Sequence, residues 1–187
     1  MGTKRFDNIV VVDIELTCYA TKDEYKNIPA ETIEIGVCML NSKTFNISRS
    51  HSYIIRPEYS DISNYCTQLT GHTQESVKNG IPFAHACNKM SKEYGTKNRV
   101  WASWGDGDRI HFEEECISKD ATYPFGESHI NVSDLFTLAI GMNIRLSVTD
   151  ALKVLGKDFL GRQHCGADDA FNTAVILKYL LHSGRIY

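Results

Sequence analysis

The chain is short of proline, with 4 in 187 residues, and it has no low-complexity run. That argues against a disordered tail of any length. No apolar stretch approaches the roughly 18 residues that a membrane span needs. None of the six cysteines (Cys18, Cys38, Cys66, Cys87, Cys116, Cys165) forms a CxxC pair, so a zinc ribbon or finger is not expected. A chain of this length does not need disulfide staples, and the thiols read as mostly buried groups in a reducing cytoplasm. There is no excess of basic charge: the net charge is −3. This excludes a protein that coats nucleic acid through a broad basic face. It leaves open an enzyme whose site is acidic because it holds metal ions. The opening "MGTKRFDNIVVVD" lacks the apolar core and small-residue cleavage site of a signal peptide. It also lacks the Ser or Thr at position 6 of a myristoylation signal. The expected location is cytoplasmic, with no membrane partner.

What is present is an alternation of strand and helix signals. "VVVDIELTC" (10–18) reads as a sheet-interior strand, followed by a polar loop, "YATKDEYKNIPA". "ETIEIGVCML" (31–40) alternates, with Ile33, Ile35 and Val37 on one face. "ISRSHSYIIRP" (47–57) follows a short turn. Three strands joined in this way suggest an antiparallel meander. The period then changes. Short helical turns are expected over 64–80, broken at Gly71 and Gly80, and a helix over 82–95 ending at Gly95. A strand over 98–105 precedes helices over 108–117, 132–141 with Ser133 as cap, and 147–156 capped by Ser147 or Thr149. The longest helix is expected over 166–184, with Ala170, Ala174, Leu177 and Leu181 as its apolar stripe. No linker or repeat divides the chain. The expectation is one α/β domain over 1–187, a mixed sheet flanked by helices.

Asp13 and Glu15 break the pattern of the first strand. An unpaired buried carboxylate costs several kcal/mol or takes up a proton. Residues i and i+2 of a strand share a face, so the two project side by side, roughly 6.5 to 7 Å apart. Like charges this close need something positive between them, and hard divalent cations take such oxygen ligands. The plain alternative is a strand end in water or a bond to a basic side chain. Asp106 and Asp108 follow the fourth strand, where Asp also serves as a helix cap. His164 lies in the Gly-flanked "GRQHCG", and Asp169 follows five residues later in the first turn of the last helix. An acid there is unremarkable taken alone. Taken together, Asp13, Glu15, Asp108 and Asp169 could converge on two metal ions about 3.5 to 4 Å apart, the clamp used for in-line phosphoryl displacement. His164 suits a general base for the attacking water.

"DIELT", an Asp after a Trp/Gly-rich strand, and "HCGADDA" together resemble the three motifs of the DnaQ-like, DEDDh-type 3′→5′ exonucleases, which have an RNase H-like fold. "FNISRSHSYIIRPEYSDISNYCTQLTGHTQESV" and "GRQHCGADDA" are similar to the Eri-type branch. "ASWGDGDRIHFEEEC" is similar to its bacterial relatives, one of which is described as an inhibitor of a sporulation kinase pathway. The resemblance runs from about residue 8 to 181. It implies that Asp13 and Glu15 match the first-motif ligands, Asp108 the second and Asp169 the third, with His164 as general base. Asp106 is the competing second-motif ligand, and Asp168 reads as a helix-start residue. The implied cofactor is Mg²⁺ or Mn²⁺, two ions per site. The implied partners are single-stranded RNA or DNA 3′ ends, with nucleoside 5′-monophosphate as product and RNA favoured by the branch. Leu16, Thr17, Leu69 and Thr70 look placed to hold the terminal base and sugar. Trp104, Trp101, Arg109 and Arg162 are candidate base or phosphate contacts. The eukaryotic relatives carry an additional N-terminal RNA-binding module. This sequence begins with the catalytic motif, so stem-loop recognition of that kind is not expected. A DNA-directed proofreading or repair nuclease is the alternative within the class. A regulatory interaction protein on a nuclease scaffold is the alternative outside it.

Overall fold

A strand in which residues of both parities are apolar must be covered on both faces. Val10, Val11 and Val12 are fully buried, and they lie in the middle strand of a five-stranded sheet. The computed structural model describes residues 5–21, 24 and 29–184. Its strands are β1 (Arg5–Leu16), β2 (Thr32–Asn41), β3 (Ile47–Ile54), β4 (Arg99–Ser103) and β5 (His129–Asn131), in the order β3-β2-β1-β4-β5. The meander β1–β2–β3 is antiparallel, as expected, and β4 and β5 add in parallel. The mixed sheet flanked by helices is the RNase H-like architecture that the motifs imply. Of the polar loop over 19–30, residues 22, 23 and 25–28 lie outside the described residues.

The helices are α1 (Asn64–Thr70), α2 (Gln74–Lys78), α3 (Phe83–Tyr94), α4 (Gly107–Ser118), α5 (Val132–Ile140), α6 (Val148–Val154) and α7 (Gly166–Ser183). On one face Val10, Val12, Ile35 and Val37 pack with Phe83, Met90 and Phe112 of α3 and α4. On the other face Ile9, Val11, Cys38 and Leu40 pack with Phe136, Leu152, Ala170, Ala174 and Leu177 of α5, α6 and α7. The break within 64–80 occurs where expected: Gly71 ends α1 at φ 78°, and Thr73 opens α2 with a capping box.

Three expectations need correction. The cap of α5 is Asn131, whose side chain accepts from the Asp134 amide. Ser133 lies one turn position inside, is buried, and donates its amide to the Trp104 carbonyl at 2.7 Å. β5 was not expected at all, because three residues carry no periodicity. β2 is buried on both faces, so Glu34, on the side that alternation assigns to water, is only 2% exposed.

Candidate metal centre

Strand parity decides where the acids point. Asp13 and Glu15 share parity with Ile9 and Val11, and so face α7 rather than α3 and α4. Across the antiparallel ladder Asp13 stands opposite Gly36, and Glu15 opposite Glu34. Gly36 has to be glycine, because a Cβ there would fall inside the backbone of Gly166 and Ala167. The bare strand lets the N-terminus of α7 sit directly on the sheet. That close approach brings Asp169 to the pair: Asp13, Glu15 and Asp169 each present an oxygen within 4.8 Å of the others.

The fourth acid comes from the other side of β1. The parallel pairing of β1 with β4 stops at Val11–Ala102, and the chain leaves β4 for α4. Asp108, in the first turn of α4, accepts from the Ile14 amide at 3.1 Å, and its charge acts on Asp13. Asp106 is engaged elsewhere. Its carboxylate accepts from Asn131 at 3.0 Å and Arg109 at 3.4 Å, which holds it below the usual range.

Burial is the main cause that pushes all four acids up. Asp13 lies well above the ordinary value, from burial and then from Asp108, Asp169, Glu15 and Glu34. Glu15 is pushed up to about 8 by burial and then by Asp169. Asp108 and Asp169 are each raised to about 6 by burial. Oδ2 of Asp169 is buried with no hydrogen-bond partner. Acceptor-only oxygens, crowded and short of donors, match the donor set that hard divalent cations take. The residues present therefore fit a divalent metal.

His164 lies on an exposed loop with a left-handed backbone, φ 59°. The Asp169 amide donates to the Cys165 carbonyl at 2.9 Å, which ties the end of this loop to the start of α7. Asp168 accepts from the Arg162 amide at 2.8 Å, so it braces this loop. Arg162 reaches the Leu69 carbonyl at 3.0 Å and is the positive charge acting on Glu15.

Several candidate substrate contacts are turned elsewhere. Thr17 is 2% exposed, and its hydroxyl accepts from the Glu31 amide. Thr70 is buried, and its hydroxyl donates to the Cys66 carbonyl. Trp104 donates to the Leu146 carbonyl at 3.0 Å and packs with the α5–α7 core. Trp101 is fully buried and stacks on Phe125. Arg109 pairs with Asp106 and Glu113. These polar groups complete local structure, which a chain read one residue at a time does not display. Leu16 and Leu69 remain half-buried. Two residues beside the site went unsuspected, Glu34 and His72, paired at 2.7 Å. The only signal was a Glu two residues from Gly36 in an otherwise apolar strand.

The exonuclease (RNase T) family profile matches residues 10–177. The human 3′-5′ exoribonuclease 1 is 31% identical over 96% of this chain and 54% of its own length. The 3′-5′ exonuclease Snipper of Drosophila melanogaster is 28% identical over 100% of this chain and 74% of its own. The human ERI1 exoribonuclease 2 is 29% identical, and the chain spans only 29% of it. Thus the chain spans about half or less of the two human relatives. The nuclease domain of 3′hExo, a DEDDh family member solved bound to rAMP, superposes with TM-score 0.85 at 30% identity. That match covers 98% of this chain and 96% of the solved one. With its three motifs gathered on one sheet end and its profile matched along nearly the whole length, the chain belongs to the RNase T exonuclease family, among relatives of the DEDDh 3′-5′ exoribonucleases.

Proposed function

We propose that this protein is a metal-dependent 3′→5′ exonuclease that removes nucleoside 5′-monophosphates from single-stranded or overhanging 3′ ends, with RNA favoured over DNA. The observation that carries the reading is the convergence of Asp13, Glu15 and Asp169 within 4.8 Å, with a buried Asp169 oxygen that no protein group satisfies. Asp13, Glu15, Asp108 and Asp169 would hold Mg²⁺ or Mn²⁺, two ions in the full site. Bound there, such ions supply charge stabilisation for in-line displacement at phosphorus. His164 takes the proton from the attacking water as the new O–P bond forms and the bond to the penultimate 3′ oxygen breaks; that oxygen then takes a proton from solvent. Arg162, between Leu69 and Glu15, suits the phosphate of the terminal nucleotide. The RNA preference draws on the exoribonuclease names of the relatives, and requires a contact to the 2′-OH. We read the whole chain, 1–187, as one catalytic domain. No helix among the described residues is long and apolar enough to cross a membrane. A cytoplasmic setting suits the free cysteines.

The test is a 5′-labelled ladder assay on matched single-stranded RNA and DNA in Mg²⁺, Mn²⁺, Ca²⁺ or EDTA. The expected result is shortening from the 3′ end in Mg²⁺ or Mn²⁺, faster on RNA and absent in EDTA. Faster loss of DNA would reassign the substrate. Full activity in Ca²⁺ alone, with its looser coordination, would contradict the two-metal reading.

A further inference from the structure

A further carboxylate, Glu34, lies beside the N-terminus of α7. Glu34 stands opposite Glu15 on β2, shares the face of Gly36 and is 2% exposed. Its environment differs from that of the other four. His72 Nε2 lies 2.7 Å from one of its oxygens, and the Ser52 hydroxyl donates to the other. The Glu34 carboxyl also stands against Gly166, whose Cβ position would lie 3.3 Å from its carboxyl carbon, and the Cys165 thiol lies 3.9 Å away. These donors hold Glu34 below the usual carboxylate range although burial opposes it. With a side-chain partner on each oxygen, Glu34 offers a cation less than Asp169, whose Oδ2 is buried without one.

Its position relative to α7 is informative. The N-cap residue, Cys165, makes no side-chain cap hydrogen bond. Glu34 lies instead against the first residue of the helix, a carboxylate beside the positive end of the helix dipole. Downstream, α7 is held by packing: Ala170, Ala174 and Leu177 are fully buried, and Cys38 Sγ lies 3.5 Å from the Ala170 carbonyl. Upstream, residues 161–164 are exposed. Glu34 grips the chain at the join between the two, two residues from His164.

We propose that Glu34 is a positioning residue: held by His72 and Ser52 and seated against the Cys165–Gly166 join, it fixes the loop that carries His164, without itself binding metal. The inference rests on the exonuclease reading for its kinetic consequence. Substitution by glutamine is the sharpest perturbation. A carboxamide accepts at one oxygen and must turn two N–H donors toward groups that also donate.

The experiment is a double-mutant cycle of Glu34→Gln and His164→Ala, with amide exchange of the metal-free proteins. Glu34→Gln is expected to lower kcat roughly tenfold to a hundredfold, the scale of a misplaced catalytic group. KM and Mn²⁺ affinity should stay within about threefold. In the His164→Ala background the same change should cost less than about twofold, because the group being positioned is gone. Exchange in residues 161–166 should rise while that of residues 170–177 stays unchanged. His72→Gln, which loosens Glu34 without touching α7, should reproduce a smaller kcat loss if Glu34→Gln folds poorly. Additive effects, unchanged exchange at 161–166, or a loss of Mn²⁺ affinity equal to that of Glu15→Gln would overturn the proposal. A wild-type protein that binds Mn²⁺ but cleaves nothing would instead remove the exonuclease reading, leaving the exchange result to judge Glu34.

Discussion

Two groups of buried acids lie in this molecule, and they are built on opposite terms. Glu31 and Glu115 share Lys119, at 2.8 and 2.9 Å, with all three side chains under a tenth exposed. Glu31 also accepts from the amides of Glu58, Tyr59 and Ser60, and Glu115 from Thr32. Both are held below the usual range, against burial, by Lys119 and other donors. Asp13, Glu15, Asp108 and Asp169 have no such lysine, and all are raised. Burial of acids is therefore not itself a sign of a site. The sign is burial without a close ion pair, and the first group shows how this fold keeps a buried acid paired.

The contrast is open to attack at both ends. The largest effect should come from Asp13→Asn, which is expected to lower exonuclease activity on the order of a thousandfold, several kcal/mol of transition-state stabilisation. The same change should raise the melting temperature of the metal-free protein at alkaline pH, where it removes an acid from a crowded cluster. Lys119→Met should do the reverse. It strands two buried carboxylates and should destabilise by about 3 kcal/mol, with little change in kcat for the folded fraction. Denaturant melts beside ladder assays check both, and equal destabilisation by the two variants would erase the distinction.

A pH series sharpens the comparison at smaller amplitude. Glu15 titrates near 8 in the fold against an ordinary 4.5, and Asp108 and Asp169 near 6. The folded state thus binds more protons than the unfolded chain across this window. Stability from these groups is fully present below the ordinary carboxylate range and is lost as pH rises toward about 8. The metal-free protein should melt lower at pH 8 than at pH 6, and Mn²⁺ should raise its melting temperature more at pH 8, where protons compete less. A metal-induced shift larger at pH 6 would contradict the assignment. The smallest effect should be that of Arg109→Ala, under about twofold in kcat/KM, because its guanidinium is committed to Asp106 and Glu113. Arg162→Ala should raise KM by more.

How much of this was legible in the sequence follows from the same physics. Asp13 and Glu15 stood out because they interrupt an apolar run whose neighbours are buried on both sides. Asp169 and His164 stood out through their spacing at a glycine-flanked helix start. Glu34 did not, because "ETIEIG" reads as an ordinary half-wet strand. Only the docking of α7 against Gly36 turns that face inward. The engagement of Asp106 needed Asn131, which lies on β5, a strand too short to have a pattern. The local bonds of the threonines and Trp104 were not legible for a related reason: their hydroxyl and indole groups pair with residues 14 to 42 positions away or within one helical turn.

The cluster on the α7 face, and not the paired acids elsewhere, should bind divalent metal. Calorimetric titration of Mn²⁺ into wild type, Asp13→Asn and Asp106→Asn tests it directly. Wild type and Asp106→Asn should bind, and a folded Asp13→Asn protein should not. Equal binding by all three, or none by the wild type, would contradict it.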